Sequence, residues 1–173
     1  RKESSAASDV YKTQIQQDEG TTSQYLKPDT STYFTKGAYE KEMRAAAKKY
    51  INKSTIQVTT ENYMEVMEVI YDYPDEFVGK TLEFTGFVYN DPSDQKSQFL
   101  FRFGIIHCIA DSGVYGLLTT GNTQHFENNT WIHAKGKIAV QYHKNLGQSL
   151  PILKVSSFEK VEKPANPYVY RVF

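Results

Sequence analysis

The chain has 173 residues and a mass of 19.8 kDa, enough for one domain with an extension or for two small domains. Its 20 Lys and Arg against 20 Asp and Glu speak against nucleic acid as a partner, since phosphate binding needs a clustered positive excess, while 39% hydrophobic and 14% aromatic residues exclude full disorder. One cysteine, Cys108, excludes an intramolecular disulfide and an all-Cys zinc site, and no run approaches the ~18 consecutive apolar residues of a membrane span.

Residues 1–32 read as a polar linker or tether. Fourteen of them are Ser, Thr or Gln, with five acidic and four basic side chains among the rest. Such a segment buries too little surface to offset its ordering entropy. A docked arm is the alternative, with a short helix over residues 9–17.

Residues 33–79 read as a helical extension packing on the β-rich region C-terminal to it. Tyr39, Met43, Ala46, Ala47, Tyr50 and Ile51 recur at helical spacing, which predicts a helix over 39–51. Its basic end at Lys48, Lys49 and Lys53 suits the negative end of the helix dipole. Residues 56–58 alternate like a short strand. Thr59 or Thr60 is then placed to cap a second helix, in which Tyr63, Val66, Met67 and Ile70 form one apolar stripe. Glu61, Glu65 and Glu68 are expected to face elsewhere. Pro74 ends that helix or opens a further turn.

Residues 80–163 read as all-β. Leu82, Phe84, Gly86 and Val88 alternate with more polar neighbours, and residues 90–94 form a turn cluster. From Phe99 to Ile105 the apolar positions are odd; from Ile106 to Ala110 they are even. A single inward face cannot survive that shift without an extra residue, so a bulge is expected at Gly104. Further strands are predicted over 114–119, 131–140 and 150–161. The fold class is therefore mainly β with N-terminal helices (α+β), built on a five-stranded OB-like Greek-key barrel; an open sandwich is the runner-up. Residues 164–173 form an aromatic tail able to pack back on the barrel.

No Gly-x-Gly-x-x-Gly, Gly-Lys-Ser/Thr or Gly-x-Ser-x-Gly element occurs, and no catalytic set emerges, so the expectation is a non-enzymatic protein without an obligatory cofactor. The densest group of metal-ligand types is His107, Cys108 and Asp111, a candidate site for a divalent ion such as zinc. In a regular strand His107 and Cys108 point to opposite faces and cannot share an ion; a core thiol beside a rim histidine is the structural alternative. Phe87, Tyr89, Phe101 and Phe103 could stack bases on an OB-type surface. Yet residues 80–163 carry nine basic against seven acidic side chains, and the helical zone before them is acidic. Core packing explains these rings better.

Four stretches taken together point to one family: FVGKTLEFTGFVY at 77–89, RFGIIHCIAD at 102–111, PILKV at 151–155 and KPANPYVY at 163–170. Over residues 54–170 the chain resembles the C-terminal domain of the YcgQ-like subunits of bacterial two-component membrane permease complexes. The resemblance implies a soluble domain on the extracytoplasmic side of the cell membrane, anchored through a transmembrane region upstream of Arg1, and a multi-spanning permease subunit as partner. The tether and the helical zone would make that contact, unless the apolar stripe of 39–51 simply packs on the barrel. Where members of the family carry Cys-Cys, this chain has His107-Cys108, which keeps metal ligation open and removes a vicinal thiol pair.

Overall fold

The computed structural model describes residues 14–17, 20–24, 36–92, 96–106, 113–121 and 125–171. The first helix, α1 (Lys36–Lys48), buries Met43, Ala46 and Ala47, and Tyr50 follows them into the core. The stripe thus faces inward, with Tyr39 and Ile51 at its ends partly buried against the same core. Past the helix, Lys80 Nζ donates to Ile51 O at 2.6 Å and Lys53 O at 2.7 Å, a cation at carbonyls just beyond a helix C-terminus. The short strand expected there is β3 (Thr55–Gln57).

The second helix, α2 (Tyr63–Asp72), makes no side-chain cap hydrogen bond. Instead Thr59 N–H donates to Asn62 Oδ1 at 2.6 Å and Asn62 N–H to Thr59 Oγ1 at 3.2 Å, an exchange that holds the approach to the helix. Burial of Tyr63, Met64, Val66, Met67, Glu68, Val69 and Ile70 covers far more than one stripe, as in a helix enclosed by the fold. Glu68, expected on the outer face, is fully buried. Pro74 begins the short α3 (Pro74–Phe77), which buries Phe77.

The remaining strands are β1 (Gln14–Gln17), β2 (Gly20–Gln24), β4 (Thr81–Asn90), β5 (Gln98–Ile105), β6 (Gly113–Thr120), β7 (Trp131–His143), β8 (Gln148–Lys160) and β9 (Tyr168–Tyr170). The chain is mainly β with helices, as the patterning implied. Five barrel strands and the short strand near residue 56 were expected; nine strands pair into one sheet among the described residues. Antiparallel ladders join β4 to β5, β5 to β6, β4 to β7 and β7 to β8, and a parallel ladder joins β6 to β8. The path through these five strands returns to its start. Around it, β3 lies parallel to β4, β9 parallel to β5, and β2 parallel to β6 at Ser23↔Gly113. Gln14–Gln17, the end of the helix expected over 9–17, is strand paired with β2; residues 9–13 lie outside the described residues.

No bulge interrupts Gly104. The β5–β6 ladder runs unbroken from Gln98↔Thr119 to Gly104↔Gly113, and the register shift sits instead between Lys135 and Gly136. β5 ends at Ile105, where the odd apolar run ends, so the even run from Ile106 lies beyond the strand and no change of phase falls inside it. A Cβ on Gly104 would lie 2.5 Å from the Tyr115 ring and 2.7 Å from Met64 Sδ, so glycine there reflects close packing against α2.

One cluster gathers Met43, Tyr63, Met67 and Ile70 from the helices with Leu82, Phe84, Leu100 and Tyr115. A second lies on the opposite face around Phe87, Phe99, Phe101, Phe103 and Trp131. There Phe87 stacks on Phe103 at 4.6 Å and Phe99 on Phe101 at 5.0 Å between ring centroids. Phe87, Phe101 and Phe103 are thus core residues, and the half-buried Tyr89 packs against them, which removes the base-stacking surface. The tail does pack back: β9 lies along Phe103–Ile105, with Val169 fully buried.

On the edge of β6 shared by β2 and β8, β2 pairs at Gly113 and Val114 and β8 at Leu118–Thr120. Across this stretch of β6, Tyr63 Oη donates to Tyr115 O at 2.6 Å and Tyr71 Oη to Gly116 O at 2.7 Å, which ties α2 to the strand.

Candidate functional site

Three buried polar centres are built into this frame. In the first, Arg171, just past β9, donates through Nε to Glu68 Oε1 at 2.6 Å. Tyr39 Oη, from α1, donates to Asp72 Oδ2 at 2.8 Å and lies 3.4 Å from Glu68 Oε2. Burial pushes the Glu68 carboxyl up to about 7 despite the opposing pull of Arg171. Burial and the nearby Glu68 and Asp72 charges push the Tyr39 phenol up as well, so it stays a proton donor. The centre ties both long helices to the segment beyond β9.

The second centre is Arg102 on β5, 4% exposed. Nη1 donates to Thr60 Oγ1 at 3.2 Å and Nη2 to Asn166 O at 3.3 Å. Among the described residues its Nε has no hydrogen-bond partner. The guanidinium carbon lies 5.9 Å from the Tyr63 ring centroid and 5.8 Å from that of Trp131. Burial draws its pKa down, while Tyr63 and Glu61 act the other way.

The third centre lies beyond β4. His143 Nε2 and Asp91 Oδ2 are 2.9 Å apart, and His143 Nδ1 accepts from Leu146 N–H at 3.3 Å. That second contact places the ring proton on Nε2, facing Asp91. With both nitrogens engaged, the imidazole braces the β7–β8 turn.

A protein-family profile described as the DUF1980 C-terminal domain matches residues 33–171. The chain belongs to the DUF1980 C-terminal domain family. The match takes in Tyr39, Glu68, Arg102, His143 and Arg171, so each centre lies within the family's domain. A protein of Streptococcus mutans serotype c (strain ATCC 700610 / UA159) named "Putative two-component membrane permease complex subunit" is 63% identical over 155 residues, covering 90% of this chain and 57% of that protein. UPF0703 protein YcgQ of Bacillus subtilis (strain 168) is 45% identical over 152 residues, covering 87% of this chain and 53% of that protein. The chain thus spans about half the length of the curated relatives it matches. Among the described residues of this DUF1980 domain, no helix is long and apolar enough to cross a membrane.

The metal candidates His107, Cys108 and Asp111 lie outside the described residues, on the connection between the end of β5 at Ile105 and the start of β6 at Gly113. Among the described residues, no three His, Cys, Asp or Glu side chains form a metal-holding group. His133 Nδ1 lies 2.8 Å from Thr85 Oγ1, and His125 is exposed. The sequence reading missed Glu68, Arg171 and Arg102. Arg102 carried a signal: it is the one charge in Gln98–Ile105, a strand apolar on both faces. Glu68 and Arg171 carried none, because only the return of β9 brings them together.

Proposed function

We propose that this domain is the non-enzymatic, extracytoplasmic part of an accessory subunit of a bacterial two-component membrane permease complex, held at the membrane by a segment upstream of Arg1. The observation that carries this reading is the 63% identity, over 90% of the chain, to a relative named as a permease complex subunit. Its partner is a multi-spanning permease subunit. Because Met43, Ala46 and Ala47 face the core, that contact falls to the solvent side of α1 and to residues 1–32. The test is co-purification of the full-length protein with the co-expressed multi-spanning subunit from detergent-solubilised membranes; failure to associate overturns it. Protease added outside wall-stripped cells should cleave the domain, and protection would place it on the other side.

The same reading divides the chain into a tether (1–32), of which Gln14–Gln17 and Gly20–Gln24 are strands joined to the sheet through β6, a helical extension (33–79), an OB-like Greek-key barrel (80–163) and a tail (164–173). Support for the barrel is the closed path of pairing through β4, β5, β6, β8 and β7. Parallel pairing of β6 with β8 also suits a Greek key whose third and fifth strands meet.

A second reading is a divalent-metal site at His107, Cys108 and Asp111. Zinc titration followed by calorimetry tests it: stoichiometric heat that vanishes in Cys108→Ser supports the site, and no heat rejects it.

A further inference from the structure

We propose that Arg102 anchors a binding site for a small oxyanion, a carboxylate or phosphate group, taken up under the Thr60 and Asn166 segments. The starting point is a charge without an opposite. Arg102 is buried, and among the described residues no carboxylate lies within ion-pair distance of it. Among the described residues its terminal nitrogens reach only a hydroxyl and a backbone carbonyl, at 3.2 and 3.3 Å, both long for a charged donor. Nε makes no bond. A buried guanidinium left this way is costly unless something compensates it. The rings of Tyr63 and Trp131 supply some of that compensation.

The unused edge has a particular shape. Nε and Nη2 form the fork by which arginine grips a planar anion in two parallel hydrogen bonds. Here one prong is unbonded and the other holds a long contact to a carbonyl that an anion could displace. The cover is thin and irregular: Thr60 lies between β3 and α2, Asn166 between β8 and β9, and both are exposed. Either segment can shift without breaking a strand ladder. Tyr63 Oη is committed to Tyr115 O, so the phenol walls the site without bonding the ligand. Exposed Glu61 attracts Arg102 electrostatically and forms no ion pair with it, so it stands as a competitor that weak or monovalent anions must overcome.

The test is the thermal midpoint of the full chain in chloride against inorganic phosphate and against acetate, at equal ionic strength. Ligand binding to the folded state raises the midpoint with ligand concentration. A concentration-dependent rise of several degrees in phosphate or acetate is expected, and the more effective anion identifies which group the site takes. Arg102→Met should fold, losing the rise, and Arg102→Lys, a point charge without a fork, should lose most of it. Glu61→Gln should enlarge it. Titration of the Arg102 Nε–H resonance with phosphate gives a second readout in the unmodified chain, where a saturable shift is expected. No oxyanion-specific rise, an equal rise in Arg102→Met, or an Nε–H resonance that does not move overturns the proposal. A purely structural Arg102 would give a less stable Arg102→Met with no anion dependence in either protein.

Discussion

Arg171 Nε lies 2.6 Å from Glu68 Oε1, and 103 residues of chain separate the two. The Arg171 side chain is 4% exposed and that of Glu68 0%, so neither can turn to water without opening the fold. Arg171→Met should therefore cost about 3–5 kcal/mol at neutral pH, the usual penalty for orphaning one member of a buried pair. Removing both charges in Glu68→Leu/Arg171→Met should recover much of that loss. Urea midpoints of the two variants check this; a double variant no more stable than the single one contradicts it.

A dependence on pH follows from the same carboxyl. Its folded value of about 7 lies above the ordinary 4.5, so between those values the folded state holds a proton that the unfolded state has released. Stability from this group is complete below about pH 4.5 and falls as pH rises through 7, by at most about 3 kcal/mol. Glu68→Gln should flatten that slope. Unfolding free energies measured from pH 5 to 8 would show it, and parallel curves for both proteins would exclude Glu68 as the source.

Glycine substitutions should rank by what the new methyl meets. At Gly104 it meets the Tyr115 ring and Met64 Sδ, side chains that can yield, so Gly104→Ala should cost about 1–3 kcal/mol. At Gly116 it would overlap the backbone oxygen of Leu100, which cannot yield without parting β5 from β6. Gly116→Ala should be the more damaging, read as loss of cooperative unfolding or of soluble protein.

Tyr63→Phe and Tyr71→Phe should each cost about 1–2 kcal/mol, by withdrawing a hydroxyl from a β6 carbonyl. Amide exchange should rise in β6 around residues 115–117, ahead of any rise in β7. Unchanged protection there would mean that the phenols do not hold that interval.

Much of this architecture was legible in local patterning. Met43, Ala46 and Ala47 marked a helix face, the alternation from Leu82 to Val88 marked β4, and the strand expected over 131–140 marked β7, because each depends on neighbours in sequence. What failed depended on distant packing. Gly104 looked like a bulge because the odd and even apolar runs read as one strand, whereas β5 ends with the odd run at Ile105. Glu68 looked solvent-facing because nothing near residue 68 announces a guanidinium contributed from residue 171. The metal candidates His107, Cys108 and Asp111 fall outside the described residues, so sequence density remains their sole support.

The order in which a ribosome delivers these parts matters. Glu68 and its helix are made early, β5 comes next, and the guanidinium that neutralises Glu68 arrives with the strand that flanks β5. Until then a growing chain can keep Glu68 hydrated or protonated but cannot close the ion pair, and contacts so distant in sequence are intrinsically slow to form. Partly synthesised chains should therefore expose the margin of β5 around Phe103–Ile105, where β9 will later lie, and be most prone to association there. Completion of β9 becomes a checkpoint on maturation: a chain cut short before Tyr168 is an aggregation hazard, although the buried residues of β4 to β8 are already present.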